Sequence, residues 1–213
     1  MFRIALMLLF LSYLGCSGVD SSEELVQEEP MANQKTSELR EKVGNAMTIS
    51  LTSPAFKEGE RIPKTFTGEG EDRSPPIVWS DVPAGTKSFV LICDDPDAPT
   101  PQPWVHWVIY AIPPDVDSLP EGVPADARLE TPNGAMQGKN SWDSGQNIGY
   151  RGPMPPPGHG THHYHFTLYA LSETPDFQPE MTKTEVLSAI SEKVLGEGKL
   201  IGTYSRSGAF RTL

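Results

Sequence analysis

The stretch Ser88-Phe89-Val90-Leu91-Ile92-Cys93-Asp94-Asp95-Pro96-Asp97-Ala98-Pro99 decides how this chain folds. Its first half is apolar at consecutive positions, so both faces of the strand it forms must be covered. Its second half places three carboxylates at the strand's exit. Charge there is costly unless it is solvated, paired or hydrogen-bonded, and the prolines fix the loop while removing backbone donors. Taken alone, the acidic segment reads equally as a turn that caps a strand or as part of a site.

Outward from this stretch the pattern repeats. Residues 48–51, 77–79, 104–112 and 164–171 are rich in β-branched and aromatic side chains and end in proline, glycine or polar turns. With 88–94 they predict a mainly β domain. One helix is expected near the end. Thr182-Lys183-Thr184-Glu185 fits a capping box, Val186, Leu187, Ile190, Val194 and Leu195 fall on one face, and Gly196 or Gly198 stops it. Residues 199–204 return as a strand. The expected fold is an antiparallel β sandwich with a C-terminal α-helix packed on it.

At 213 residues with 37% hydrophobic and 21% charged side chains, the chain holds one good-sized core. The net charge of −11 argues against nucleic acid as a partner and against electrostatic adhesion to anionic lipid. Attachment to a membrane must therefore be apolar. Residues 1–15 read as a signal peptide, with a basic start and an apolar run too short to span a bilayer. Tyr13-Leu14-Gly15-Cys16 is similar to a bacterial lipobox, with Tyr13 where leucine is usual, so Cys16 is the expected lipidation site. The alternative is ordinary cleavage near Gly15 or Gly18 and free secretion. Residues 16–46 then form an acidic tether, with a marginal helix around 36–43, and residues 47–213 form the domain. Ser17 after the cysteine gives no sign of inner-membrane retention, so the expected address is the outer membrane facing the periplasm. With Cys16 acylated, Cys93 has no partner and reads as a small buried hydrophobe.

Two further segments concentrate polar and ring-bearing residues. In Trp104-Val105-His106-Trp107, strand alternation sends Trp104 and His106 to one face and Val105 and Trp107 to the other. A histidine so placed is more often a satisfied core residue than a ligand. In the run from Gly152 to His165, a rigid proline stretch leads into a strand. There His162 and Tyr164 share the inward face of Phe166 and Leu168, while His163 and His165 look outward. Four histidines in seven residues raise the question of metal, but the spacing matches no standard zinc pattern, and no metal or cofactor is expected.

The order and spacing of Asp95-Pro96-Asp97-Ala98-Pro99, Trp104-Val105-His106, Gly152 to Gly158 and His162-His163-Tyr164 resemble the ligand-site motifs of the phosphatidylethanolamine-binding protein family, in its bacterial Raf-kinase-inhibitor-like branch. Gln137-Gly138-Lys139-Asn140-Ser141-Trp142, among other segments, supports the match, which covers about residues 47–206. The family often carries cysteines where this chain has Gly68 and Met154. The resemblance implies a pocket at one end of the sandwich formed by Asp95, Pro99, Trp104, His106, Gly152, Pro153, His162 and Tyr164. It implies a phosphate-type anion as ligand, such as a phosphoethanolamine headgroup or another small phosphorylated or carboxylated molecule, and a cis peptide bond at Ala98–Pro99 or Gln102–Pro103. A binding protein is therefore expected rather than an enzyme. The alternatives are an inhibitor of an envelope kinase or protease and, further off, a hydrolase using His106, His162 and Asp95.

Overall fold

The computed structural model describes residues 47–207. The expected signal segment, the Cys16 anchor and the acidic tether lie outside the described residues. The elements are β1 (Met47–Thr48), β2 (Ser50–Thr52), β3 (Ile77–Ser80), β4 (Ser88–Asp95), β5 (Trp104–Ile112), β6 (Ser118–Leu119), β7 (Met136–Gln137), β8 (Thr161–Leu171), α1 (Lys183–Ile190) and β9 (Val194–Ser205). Six strands form a sheet in the order β1-β9-β8-β4-β5-β7, and β2-β3-β6 form a second, smaller one. The predicted strand at 48–51 is split between them. Ile49 donates its N–H to the Glu197 carbonyl (2.9 Å), and the chain then leaves for the small sheet. All named strand pairs are antiparallel except β1 with β9, which run parallel.

The apolar run of β4 is covered on both faces, as its composition requires. Phe89, Leu91 and Cys93 pack with Trp107, Phe166 and Leu168 towards the small sheet, where Leu51, Ile77 and Trp79 meet them. Val90 and Ile92 pack on the other face with Val186, Leu187 and Ile190 of α1. Burying each of those helix side chains contributes roughly 1.5–3 kcal/mol. Cys93 is the expected buried hydrophobe: burial, then the carboxylates of Asp94 and Asp95, push its thiol pKa up and leave it unreactive.

The capping box forms, with Glu185 N–H donating to Thr182 Oγ1 (3.3 Å) and Thr182 N–H donating to Glu185 Oε2 (2.7 Å). The helix, however, ends at Ile190, and Val194, Leu195, Gly196 and Gly198 all belong to β9. Here strand pairing overrides the helical pattern. A Cβ on Gly196 would stand 2.7 Å from the Met47 carbonyl oxygen, and one on Gly198 would stand 2.7 Å from that of Ile49. These glycines permit β1 and its exit to lie close against β9; they do not stop a helix. The cis bond is also elsewhere, at Thr131–Pro132. The loop after β4 closes instead through Thr100, whose N–H donates to the Ala98 carbonyl (2.7 Å) and whose hydroxyl donates to that of Gln102 (2.7 Å).

Strand register gives the domain two distinct ends. Met47 lies opposite Gly196, while His162 lies opposite Tyr204. Eight residue steps along β9 separate these positions, roughly 26 Å of extended chain. The loops that matter chemically gather at the Tyr204 end.

Candidate functional site

A pocket of about 260 Å³ opens there, lined by Asp95, Ala98, Pro99, Thr100, Trp104, His106, Trp142, Met154, Pro155, Pro156, His162 and Tyr164. Six of the eight residues expected from the sequence are among them: Asp95, Pro99, Trp104, His106, His162 and Tyr164. Gly152 and Pro153 are not. They lie behind the wall and hold it, for Gly152 N–H donates to Asp72 Oδ1 (2.6 Å) and the Pro153 carbonyl accepts from Gly68 N–H (3.0 Å). Arg206 steadies the next turn by donating to the Pro155 carbonyl (3.3 Å) and accepting from Gly158 N–H (3.1 Å).

A bulge places the central imidazole. Asp94 pairs with Val105 and Cys93 with Trp107, so His106 is an extra residue with no partner on β4. Simple alternation therefore fails at this point. Trp107 turns into the core on the same side of the sheet as His106, rather than opposite it. His106 Nδ1 lies 2.5 Å from the Arg151 carbonyl. A carbonyl only accepts, so Nδ1 carries the proton and Nε2 is the ring's remaining polar atom. Burial lowers the pKa of His106 despite that hydrogen bond and the nearby carboxylates, so the ring is neutral at pH 7. Its faces and edges meet Tyr164 and Trp142 at centroid distances of 5.0 and 5.1 Å. Trp142 also meets Trp104 at 5.3 Å and carries the Arg151 guanidinium 4.5 Å from its ring centroid.

Asp95 organises the opposite wall. One carboxylate oxygen accepts from Asp97 N–H (2.9 Å), and the other accepts from His162 Nδ1–H (2.7 Å). Both side chains of this pair are nearly inaccessible, at 5% and 2%. Two residues on, Asp97 Oδ2 accepts from both the backbone N–H (2.8 Å) and Nδ1 (2.7 Å) of His163. Partial burial works against the Asp97 carboxylate, but those two donors hold its pKa below the ordinary value. Two carboxylates two residues apart, Asp95 and Asp97, thus clamp consecutive histidines of β8, one inward and one outward. His165 faces outward too, half-buried, and burial lowers its pKa.

Tyr164 is buried, and its hydroxyl faces the Asp95 carboxylate without making a well-formed hydrogen bond to any described residue. Burial, reinforced by the Asp95 charge, pushes the phenol pKa far up, so it remains a donor at every physiological pH.

Sequence reasoning did not assign Trp142 to the pocket, nor Ala98, Thr100, Met154, Pro155 and Pro156. The first lay in a motif used only as support for the resemblance. The two departures from the usual cysteines meet in space: a Cβ on Gly68 would stand 3.1 Å from Met154 Sδ. The small residue makes room for the large one, and Met154 lies exposed on the rim. Among the described residues no group of three His, Cys, Asp or Glu side chains is arranged to hold a metal ion.

Comparison with known proteins places this architecture. The family model described as phosphatidylethanolamine-binding protein matches residues 52–205. A UPF0098 protein of Methanothermobacter thermautotrophicus is 51% identical over 158 residues, covering 74% of this chain and 99% of its own. A candidate lipoprotein of Mycobacterium tuberculosis, LppC, is 38% identical over 159 residues, covering 75% of this chain and 73% of its own. Among solved structures, Escherichia coli YbcL, described as a member of the mammalian PEBP family, superposes with a TM-score of 0.68 at 32% identity. That match covers 74% of this chain and 98% of YbcL.

Proposed function

The chain belongs to the phosphatidylethanolamine-binding protein family, and from that premise we propose that its pocket binds a small anionic group of phosphate or phosphoethanolamine type. The observation that carries the reading is the Tyr164 hydroxyl, a permanent donor in the pocket wall that is buried beside Asp95 without a well-formed hydrogen bond. A buried unsatisfied donor costs roughly 1–3 kcal/mol, a cost that an incoming oxygen removes.

No lysine or arginine lines the pocket, so the rings must supply the rest. Burial favours the neutral form of His106, and its Nδ1 already donates to the Arg151 carbonyl. Its Nε2 becomes a donor only by taking up a proton, and an adjacent anion favours that uptake. The sign follows directly. Protonated rings are scarcer at higher pH, so affinity falls as pH rises.

Binding rather than turnover fits the hydroxyls of the pocket. Thr100 is engaged with the Gln102 carbonyl, and burial keeps Tyr164 protonated, so neither is a ready nucleophile.

The test is calorimetric titration with a phosphodiester headgroup, whose single charge is constant over the range used. From pH 5.5 to 8 the affinity of the wild type should fall, by up to about tenfold per pH unit for one linked proton. Tyr164→Phe should lose about tenfold at every pH yet melt no lower than the wild type, because it removes an unsatisfied buried group. A flat pH profile together with full affinity in Tyr164→Phe would discard this reading.

We also propose that the domain is held at the cell envelope by a lipid on Cys16. The lipobox-like sequence and the lipoprotein name of the mycobacterial relative support this. Cys16→Ser should move the protein from the membrane to the soluble fraction on fractionation of cells; unchanged sedimentation would count against the anchor.

A further inference from the structure

The four histidines between residues 159 and 165 have separate surroundings, and the first of them was given no role above. His159 is exposed, in the loop between the proline wall and β8. Even so, its Nδ1 lies 2.8 Å from Nε2 of the buried His162, with ring centroids 5.0 Å apart. An imidazole has only two polar atoms. In His162 one of them, Nδ1, is committed to Asp95. The other is taken by His159. With both atoms engaged, His162 has nothing left to offer an incoming oxygen.

We propose that His159 is a displaceable occupant of the pocket, which holds His162 Nε2 until a ligand oxygen takes its place. The His162 ring then carries a proton on each nitrogen, one donated to Asp95 and one to the oxygen. The inference rests on the anion-binding reading above and adds to it a residue that opposes the ligand. The local backbone suits such an exchange. Gly158 and Gly160 flank His159 in the left-handed region (φ 77° and 100°), and a Cβ on Gly160 would meet nothing within 4 Å. The base of the loop is pinned, with Gly158 N–H on the Arg206 carbonyl (3.1 Å) and His159 N–H on that of Pro156 (3.1 Å). Rotation of one exposed side chain, with the loop base in place, is enough to free Nε2. The contact also orients His162 from its solvent side, as Asp95 does from within.

The sign of one substitution separates this role from the alternatives. Removing a residue that contacts the ligand weakens binding; removing an internal competitor strengthens it. Calorimetric titration with phosphorylethanolamine should show His159→Ala binding about two- to tenfold more tightly than the wild type, the worth of one exchangeable hydrogen bond. His159→Asn, whose amide occupies the place of Nδ1, should stay within about twofold of the wild type. Weaker binding by His159→Ala would make the residue a ligand contact and overturn the proposal, as would unchanged affinity. A second readout needs no ligand. In the ligand-free protein, the ¹⁵N resonance of His162 Nε2 should shift in His159→Ala, and an unmoved resonance also overturns the proposal. If the resonance shifts but the wild type binds no phosphorylethanolamine, the anion-binding reading fails and displacement fails with it. An unmoved resonance in a wild type that binds removes displacement alone.

Discussion

Asp95→Ala is expected to lower affinity for phosphorylethanolamine by about a hundredfold and stability by about 2–4 kcal/mol. The carboxylate serves two buried donors at once, Asp97 N–H and His162 Nδ1–H. Its removal strands both, at roughly 1–3 kcal/mol for each unsatisfied group, and breaking a nearly inaccessible pair by deleting one partner lies at the costly end. The loss of affinity has two sources. His162 is free to rotate out of the wall, and the turn that presents Ala98 and Pro99 loses its tie to β4. Asp95→Asn, whose single carbonyl can satisfy only one of the two donors, should fall between the variant and the wild type. Urea denaturation and calorimetric titration of the three proteins check this. An alanine variant that stays folded and binds within threefold of the wild type would sink the assigned role.

Gly152→Ala should cost about 3 kcal/mol, although it adds only a methyl group far from solvent. A Cβ there would stand 2.2 Å from the Phe66 carbonyl oxygen, 2.8 Å from Thr67 Cα and 3.0 Å from Asp72 Oδ1. The first two are backbone atoms, which cannot rotate away as the end of a side chain can. The segment must shift, and overpacking of this kind typically costs 1–3 kcal/mol, occasionally more. In a domain of this size the melting temperature should drop by roughly 6–12 °C. Tyr150 and Asp72, which tie the same wall down through Phe66 and Gly152, should be disturbed with it. Differential scanning calorimetry decides the matter: an unshifted transition would mean that the wall yields without strain.

What could be read from the sequence was what a side chain reports about its own strand. Ser88 to Cys93 announces a strand covered on both faces, and it is covered on both faces. The alternation from His162 to Leu168 announces which imidazole looks inward, and His162 does. Where partner strands decide, the reading failed. The bulge at His106 exists only because β4 advances one residue while β5 advances two, and nothing in Trp104-Val105-His106-Trp107 encodes the pace of a neighbour. β6 and β7, two residues each, are too short to carry a period.

Glycines misled for a related reason. With no side chain, Gly196 reads as an interruption, although its smallness answers the Met47 backbone pressed against it. Gly152 was placed in the pocket but belongs to the layer behind it. His159 was counted with the clustered histidines but given no partner, because an exposed loop histidine carries no pattern; only the folded chain brings it to His162.

The separation between Met47 and the pocket has a practical consequence for assay design. A biosensor chip, bead or fluorescent fusion partner joined ahead of Met47 meets the domain beside Gly196, at the end of β9 remote from His162 and Tyr204. Immobilised in that orientation, the protein keeps its mouth towards the flow, and an analyte as bulky as a lipid vesicle can reach it without first passing the support.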